Sequence, residues 1–217
     1  LFPYTTLFRS GPSHVCDARS SSASDGTYCT VQKYDVYGNL IYRAEPGETA
    51  AQAEEWLYTS GNEAAFGGGH PPAGQLEQYR DGNTAASGGE GVTNYLYDVK
   101  GDLRQRTDPS GLVTTWTYDT LGRPTGESVS YTSDGSSVTA TWSMTYDANG
   151  NVLTMTEPVT TNTLAGNHQL QTIYIYDGNN NELSRTVSDN AALPRTWVST
   201  YDALDRQWRT YDPEGHA

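Results

Sequence analysis

A repeated Tyr-Asp-x-x-Gly motif is the feature of this sequence that most restricts its fold. Tyr97-Asp98 is followed by Gly101, and Tyr118-Asp119 is followed by Gly122, so the motif returns after 21 residues. A supersecondary unit that recurs at a fixed period indicates an array in which each unit packs on its neighbours. The segment 97–123 therefore organises the interpretation of the rest of the chain.

Further Tyr-Asp pairs extend the array in both directions. They are found at residues 34–35, 146–147, 176–177 and 201–202. The intervals after Tyr118 exceed 21 residues, and the additional residues fall at 130–137, 159–168 and 188–193. We expect these ranges to be hairpin tips, because repeat arrays accept insertions at their loops and conserve the unit itself.

The motif predicts a strand, a turn and a return strand. Residues 112–118 are rich in β-branched and aromatic side chains, as strands are. Asp119 offers a short acceptor to nearby backbone N–H groups, and Gly122 supplies a position with positive φ. Asn180 and Asp205 stand where the other units have glycine, and both residue types tolerate the left-handed conformation.

A second turn motif, Asp-Pro-x-Gly, follows the return strand at 108–111 and again at 212–215. Proline fixes φ at the first central position of a type I turn. The predicted fold class is therefore all-β, a meander of antiparallel hairpins that forms an open, curved sheet. We assign a structural role to the motif residues, which are Tyr34, Asp35, Gly38, Tyr97, Asp98, Gly101, Asp108, Pro109, Gly111, Tyr118, Asp119, Gly122, Arg123, Tyr146, Asp147, Gly150, Tyr176, Asp177, Tyr201, Asp202, Arg206, Asp212, Pro213 and Gly215.

The chain divides into four predicted segments. Residues 1–27 are interpreted as an artefactual or disordered segment, since residues 1–10 look like a translated sequencing adapter and the rest is rich in Ser and Gly. Residues 28–47 form one repeat unit, and 92–217 form the tandem array, which looks cut short at its end. Residues 48–91 are a degenerate repeat or, in our preferred interpretation, an insertion.

Within this insertion the sequence predicts one short helix near residues 49–58. Ala and Glu are good helix formers, and Thr49 with Gln52 resembles a capping box. Cys16 and Cys29 are either a disulfide pair or two unrelated thiols, and their spacing does not decide between these alternatives.

Composition excludes several classes of protein. The formal net charge of −13 disfavours binding to nucleic acids and to anionic membrane surfaces. No apolar run is long enough for a membrane-spanning helix. Hydrophobic residues make up only 35% of the chain, which suits a sheet that is solvated over much of its surface.

No catalytic constellation and no cofactor site is predicted. Several equivalent copies of the Tyr-Asp aspartate indicate a turn role instead of acid–base catalysis. The segments 147–151 and 177–181 resemble the start of a calcium loop, but turn-forming Asp and Asn residues explain them as well. The four histidines lack metal-ligand spacing. Aromatic side chains on the sheet could stack on sugars or pack against one another, and those concerned are Trp116, Tyr118, Trp142, Tyr146, Trp197, Tyr201 and Trp208.

The combination of Tyr-Asp-x-x-Gly with Asp-Pro-x-Gly resembles the YD repeat of the RHS repeat family. The resemblance covers 97–215, with one further unit at 34–47. It implies a broad spiralling β-sheet that closes into a shell, in large secreted or cell-surface bacterial proteins, many of which enclose a C-terminal toxin domain. The expected partners are neighbouring repeats of the same chain, with an enclosed C-terminal domain as a further candidate.

The leading hypothesis is thus a non-enzymatic structural segment of an RHS protein. The alternative is a surface adhesion or carbohydrate-binding array with glycans as partners. A third possibility, a polysaccharide-degrading β-helix enzyme, would need a cluster of acidic and basic groups that the sequence does not offer. An open sheet also leaves unpaired strand edges, so we expect the chain to aggregate or oligomerise.

Overall fold

The computed structural model describes residues 13–16, 19, 27–82, 91–133, 136–162, 166–189 and 192–216. The ten residues that look like a translated adapter lie outside this set. No helix in the described residues is both long enough and apolar enough to cross a membrane.

The described residues form seventeen β-strands. They are β1 (Ser13–Cys16), β2 (Cys29–Tyr34), β3 (Leu40–Ala44), β4 (Glu54–Tyr58), β5 (Leu76–Arg80), β6 (Val92–Tyr97), β7 (Leu103–Thr107), β8 (Val113–Tyr118), β9 (Pro124–Ser133), β10 (Ser136–Tyr146), β11 (Val152–Thr156), β12 (Thr160–Asn162), β13 (Gly166–His168), β14 (Leu170–Tyr176), β15 (Glu182–Asp189), β16 (Ala192–Tyr201) and β17 (Gln207–Tyr211).

Fifteen of these strands form one open antiparallel sheet, and the order of the strands in the sheet is their order in the chain. β12 and β13 form a separate two-stranded ribbon. The predicted fold class, an all-β antiparallel meander, is confirmed. The chain divides into two compact units, Leu1–Val113 and Thr114–Ala217.

In the first unit, each hairpin ends on a tyrosine and resumes after a bulge. Tyr34 pairs with Leu40 and Tyr97 pairs with Leu103, and in both hairpins the register shifts immediately before the tyrosine. The shift leaves one additional residue on the return strand, as β-bulges do. The second unit repeats the arrangement at Tyr146, Tyr176 and Tyr201.

Neither unit has a conventional core. The fully buried apolar side chains among the described residues are small ones, Cys29, Ala44, Ala53 and Ala65. Most strand residues are half-buried. The sheet is therefore held by its ladders of backbone hydrogen bonds, by its turns and by contacts between neighbouring side chains on each face.

The helix predicted near residues 49–58 is wrong. The capping-box contacts do form, since the N–H and hydroxyl of Thr49 donate to Gln52 Oε1 at 3.1 and 2.9 Å, but they close only an isolated turn. Residues 54–58 are strand β4, in which Trp56 lies opposite Tyr79 with ring centroids 5.5 Å apart. A ten-residue helix is marginal by itself, so cross-strand packing decides the conformation.

The prediction that residues 1–27 lack structure is wrong for Ser13–Cys16. These residues form β1, which pairs antiparallel with β2, and Cys16 lies opposite Cys29. The two cysteines form a disulfide, so the alternative left open by their spacing is decided in favour of a bridge. The disulfide links β1 to β2 covalently, and the Ser-rich composition of the segment gave no indication of this link.

Candidate functional site

The turns that join the strands carry the motif residues, and the one at Asp119 shows how they close. The Asp119 N–H donates to the Arg123 carbonyl at 2.9 Å, and the Gly122 N–H donates to the Asp119 carbonyl at 3.1 Å. Asp119 Oδ1 accepts the N–H groups of Leu121 and Arg123 at 2.9 and 3.0 Å. Arg123 Nε donates to Oδ2 at 2.6 Å. The Asp119 carboxylate thus accepts three hydrogen bonds within the reversal.

The same closure occurs at every aspartate of the two motifs. In each case Oδ1 accepts the N–H groups of the second and fourth residues after it, at 2.8–3.1 Å. The Tyr-Asp-x-x-Gly and Asp-Pro-x-Gly reversals, which look different in sequence, are therefore one kind of turn. The aspartates concerned are Asp35, Asp98, Asp108, Asp119, Asp147, Asp177, Asp202 and Asp212, which we call the turn aspartates.

The third residue after each turn aspartate has a positive φ. Gly122 has φ +78° and Gly150 has φ +96°. Asn180 and Asp205 have φ +69° and +59°, and they are the only non-glycine residues with positive φ among those the structure describes. Asn and Asp adopt this conformation more readily than other residues with a Cβ.

Hydrogen bonding keeps most turn carboxylates ionised. At Asp119 the Arg123 N–H is the largest contribution that lowers the pKa, and at Asp147 it is the Asn151 side chain. Donation to the charged form favours that form, which explains the direction. The pKa is lowered for Asp108, Asp119, Asp147, Asp177, Asp202 and Asp212. A general acid at neutral pH needs the opposite shift.

Three of the motif tyrosines connect their hairpin to the preceding one, a role that sequence reasoning missed. Tyr97 Oη donates to the Leu76 carbonyl at 2.9 Å, and Tyr146 Oη donates to the Pro124 carbonyl at 2.6 Å. Tyr201 makes the equivalent contact with the Glu182 carbonyl at 3.0 Å. In each case the acceptor is the first residue of the strand that follows the preceding turn. The requirement for a hydroxyl explains why the motif has Tyr where Phe would fill the same space.

In the second unit, side chains also connect successive turns. The Arg123 guanidinium donates to the Asp147 carbonyl at 2.9 Å and lies over the Tyr146 ring, 4.6 Å from its centroid. Asn149 and Asn151 both donate their amides to Asn180 Oδ1, at 2.9 and 2.8 Å.

The next pair of turns repeats this contact. Asn179 and Asn181 donate to Asp205 Oδ1, both at 2.9 Å. The two residues that replace glycine at the positive-φ position are therefore the two that receive amides from the preceding turn. Where Arg123 occupies this space instead, the following turn has Gly150.

The loop 59–75 is a turn of the same kind that carries an insertion. The Thr59 N–H donates to the Gln75 carbonyl, and the Gly74 N–H donates to the Thr59 carbonyl, both at 2.8 Å. Thr59 Oγ1 accepts the Gln75 N–H at 3.0 Å, as an aspartate oxygen does elsewhere. The preceding Tyr58 donates its hydroxyl to the Leu40 carbonyl at 3.2 Å. Sequence reasoning missed this module because threonine replaces the aspartate and the insertion separates its two halves.

The two faces of the second unit differ in chemistry. One face carries cross-strand hydroxyl pairs, such as Ser128 with Thr141 at 3.0 Å and Thr145 with Thr154 at 2.6 Å. The opposite face carries larger side chains, among them Trp197, with the guanidinium groups of Arg185 and Arg195 at 5.0 and 5.4 Å from the ring. Period-two alternation along each strand produces this separation.

The structure gives the metal alternatives little support. In the segments 147–151 and 177–181, which resemble calcium loops, both oxygens of the aspartate accept hydrogen bonds from N–H groups of the same turn. Sequence reasoning did not bring together Asp212, Glu214 and His216, whose ligand atoms lie within 4.8 Å of one another. His216 Nδ1 already contacts Asp212 Oδ2 at 3.0 Å. This contact closes the Asp212 turn as the contact from Arg123 closes the turn at Asp119.

Comparison with known families identifies the repeat. Residues 97–136, which include the turns at Asp98 and Asp119, match the family model described as RHS Repeat. The chain contains an RHS repeat. The family resemblance inferred from the motif is thus confirmed for this segment. A comparison with curated proteins gives no match.

Several solved structures are similar to this chain. They include crystal structures of TcdB2-TccC3-Cdc42 and of TcdB2-TccC3, each 16% identical, and a structure of the Tc holotoxin pore of Photorhabdus luminescens with a mutated TccC3, 17% identical. The matches cover 83, 84 and 84% of this chain, and each covers 12% of the other chain. The TM-score is 0.31 in all three cases. This chain therefore spans a small part of the length of these proteins.

Proposed function

We propose that the chain is a non-catalytic wall segment of a larger RHS-repeat protein, and that the wall encloses a C-terminal domain. The observation that carries the proposal is the uniform turn at the eight turn aspartates, which supports a structural role for every motif residue. Both oxygens of carboxylates such as Asp119 and Asp147 accept hydrogen bonds that close the turn, which supports a structural role for them. We further propose that the protein is secreted or exposed on the surface of a bacterial cell.

The segment 48–91 is assigned to the array as a degenerate repeat. Strands β4 and β5 pair within the sheet, and the turn between them keeps the backbone contacts of the other turns at Thr59 and Gly74. The inserted residues of the loop 59–75 lie between these two contact points. The array in this proposal runs from β2 to β17.

The alternative of a glycan-binding array has weaker support. A sugar stacks on the open face of an aromatic ring. Guanidinium groups lie over Tyr146, Trp197 and Trp208, at 4.6–5.4 Å from the ring centroids. These rings already have a cationic partner, so they are poorly prepared as sugar platforms.

The enclosing role is tested in the intact open reading frame that contains this segment. The double variant Asp119→Ala/Asp147→Ala removes two turn carboxylates, and we expect it to open the wall and expose the domain that follows to limited proteolysis. Asp102→Ala is the matched control, since the Asp102 side chain takes no part in a turn closure. If the following domain resists proteolysis equally in the parent, the double variant and the control variant, enclosure is refuted. If the double variant loses only the wall to digestion, the structural role of the wall is retained without enclosure.

A further inference from the structure

The first unit contains a cavity that the repeat architecture does not require. It has a volume of about 290 Å³ and lies between the turn at Asp35, the end of β4 and the inserted loop 59–75. Ligand pockets in proteins begin at about 300 Å³, so this cavity has room for a small molecule or one long side chain. The insertion contributes to the cavity, because Ser60, Glu63 and Gly74 of the loop 59–75 are part of its lining.

The walls of the cavity combine apolar and aromatic surface with negative charge. Leu57 and Tyr58 supply the strand side of the wall, and Tyr37, which is 87% exposed, stands at the rim. Three carboxylates line the cavity, those of Asp35, Glu63 and Glu77, and its lining contains no Lys, Arg or His.

Two of these carboxylates are held in place by the backbone. Asp35 closes its own turn through the N–H groups of Tyr37 and Asn39. Glu63 is penalised by burial, but hydrogen bonds from the N–H and hydroxyl of Ser60 and from the Gly61 N–H outweigh this and lower its pKa to about 2. Glu63 is therefore a fixed negative charge at neutral pH.

Glu77 carries the third carboxylate, and the direction of its side chain is set by the β-bulge in the pairing of β4 with β5. Leu57 pairs with Gln78 and Tyr58 pairs with Leu76, so Glu77 is the additional residue of the bulge. Bulges redirect a side chain away from the regular alternation. The residues at the equivalent bulge position in other hairpins are Ile41, Arg104, Leu153, Leu183 and Trp208. Among these hairpins, a carboxylate at this position occurs in the one that carries the insertion, and within the described residues no hydrogen bond or ion pair engages it.

We propose that this cavity binds an organic ammonium or guanidinium group carried on an apolar stem, with Glu77 as its ion-pair partner and with Tyr37 and Tyr58 against the stem and the cationic head. Aromatic faces and carboxylates together select such cations over hydrated metal ions, because the stem gains from leaving water and the head gains from the ring quadrupole. Burial and the neighbouring Glu63 raise the pKa of Glu77, the direction expected for a carboxylate that lacks a cationic partner. The group can belong to a free alkylamine or to a lysine side chain of a peptide.

Calorimetric titration of the 217-residue protein tests this site with two probes, n-butylammonium chloride and an acetylated, amidated Gly-Lys-Gly peptide. Sodium chloride at equal ionic strength and n-butanol are the controls for screening and for the apolar stem. We expect butylammonium to bind and butanol to bind at least tenfold more weakly, since the alcohol cannot pair with the carboxylate. Binding of butylammonium alone assigns the site to free amines, and binding of the peptide as well assigns it to lysine side chains.

The variant Glu77→Gln is expected to weaken butylammonium binding about tenfold or more, and Tyr37→Ala is expected to weaken it severalfold. Glu214→Gln, which removes an exposed carboxylate outside the cavity, is the matched control and should bind as the parent does. Circular dichroism and the thermal midpoint verify that each variant is folded. Equal affinity for butylammonium and butanol, an unchanged affinity of folded Glu77→Gln, or the absence of binding by both probes would each overturn the proposal.

Discussion

At the scale of the residue, one backbone angle determines which side chains a turn accepts. Gly122 has φ +78°, and a Cβ built on it meets no other atom within 4 Å. A substitution there is therefore opposed by backbone conformation alone and not by packing.

We expect Gly122→Ala to lower the free energy of unfolding by about 1 kcal/mol, the usual penalty of the left-handed conformation for a residue with a Cβ. Urea unfolding followed by circular dichroism measures it. Gly178→Ala is the matched control, since Gly178 also lies in a turn with open space around it but has no positive φ. Comparable losses in the two variants would mean that the turn does not impose the angle.

The titration of single residues sets the pH range in which the protein is stable. The turn aspartates with a lowered pKa stabilise the folded state above their unfolded value of about 3.9, and this contribution is lost as the pH falls through their folded values. Tyrosines with a pKa raised by burial stabilise it below about 10, and that contribution is lost as the pH rises further. These tyrosines are Tyr42, Tyr58, Tyr79, Tyr97 and Tyr176.

The urea midpoint is thus expected to be nearly constant between about pH 5 and pH 9 and to fall on both sides of this range. Measurements from pH 2.5 to pH 11 at constant ionic strength check the shape of the curve. An increase of the midpoint below pH 4 would show that relief of repulsion among the acidic side chains outweighs the loss of the turn carboxylates.

At the scale of the element, the sequence predicts the turns better than the strands between them. Asp119 and Gly122 predict a turn because the interactions that form the turn are local. The aspartate closes the turn within five residues. β4 was not predicted, because its conformation depends on contacts such as the one between Trp56 and Tyr79, which are distant in sequence. β1 was not predicted for the same reason, since its anchor is the bridge from Cys16 to Cys29.

The candidate cavity was also beyond sequence reasoning. It depends on Thr59 taking the place of an aspartate and on Glu77 occupying a bulge, and neither substitution departs from ordinary loop and strand composition. The contact of Asn149 and Asn151 with Asn180 was missed as well, although asparagine in the place of a glycine was the signal that could have revealed it.

These amide contacts between turns make a quantitative prediction. A double-mutant cycle with Asn149→Ala and Asn180→Gly should give a coupling energy of about 0.5–1 kcal/mol, because Asn149 Nδ2 donates directly to Asn180 Oδ1. The cycle of Asn149→Ala with Asp205→Gly is the control, since Asp205 receives its amides from Asn179 and Asn181. Additive effects in both cycles would show that the contact contributes nothing to stability.

At the scale of the whole molecule, the open sheet ends on strands with unpaired edges. β17 is the last strand of the sheet order, and its Trp208 is 69% exposed. A strand edge with an exposed aromatic side chain offers both hydrogen bonds and apolar surface to another chain.

We therefore expect the isolated protein to associate in a concentration-dependent manner, and Trp208→Lys to reduce this association. Size-exclusion chromatography with light scattering measures the mass at each concentration. Leu121→Lys is the matched control, because Leu121 is an exposed apolar residue of a turn and not of the edge strand. A monomer at all concentrations, or equal effects of the two variants, would contradict the assignment of β17.

The closure of each turn by its own aspartate also bears on how such a chain is made. Apart from β11 and β14, which are separated by the β12–β13 ribbon, neighbouring strands of the sheet are consecutive in sequence, and each turn aspartate completes its reversal within five residues. The average sequence separation of contacting residues is correspondingly small, which favours rapid folding. We expect each hairpin to fold soon after it leaves the ribosome, without contacts from later parts of the polypeptide. The wall would then form from its N-terminal end towards its C-terminal end during translation.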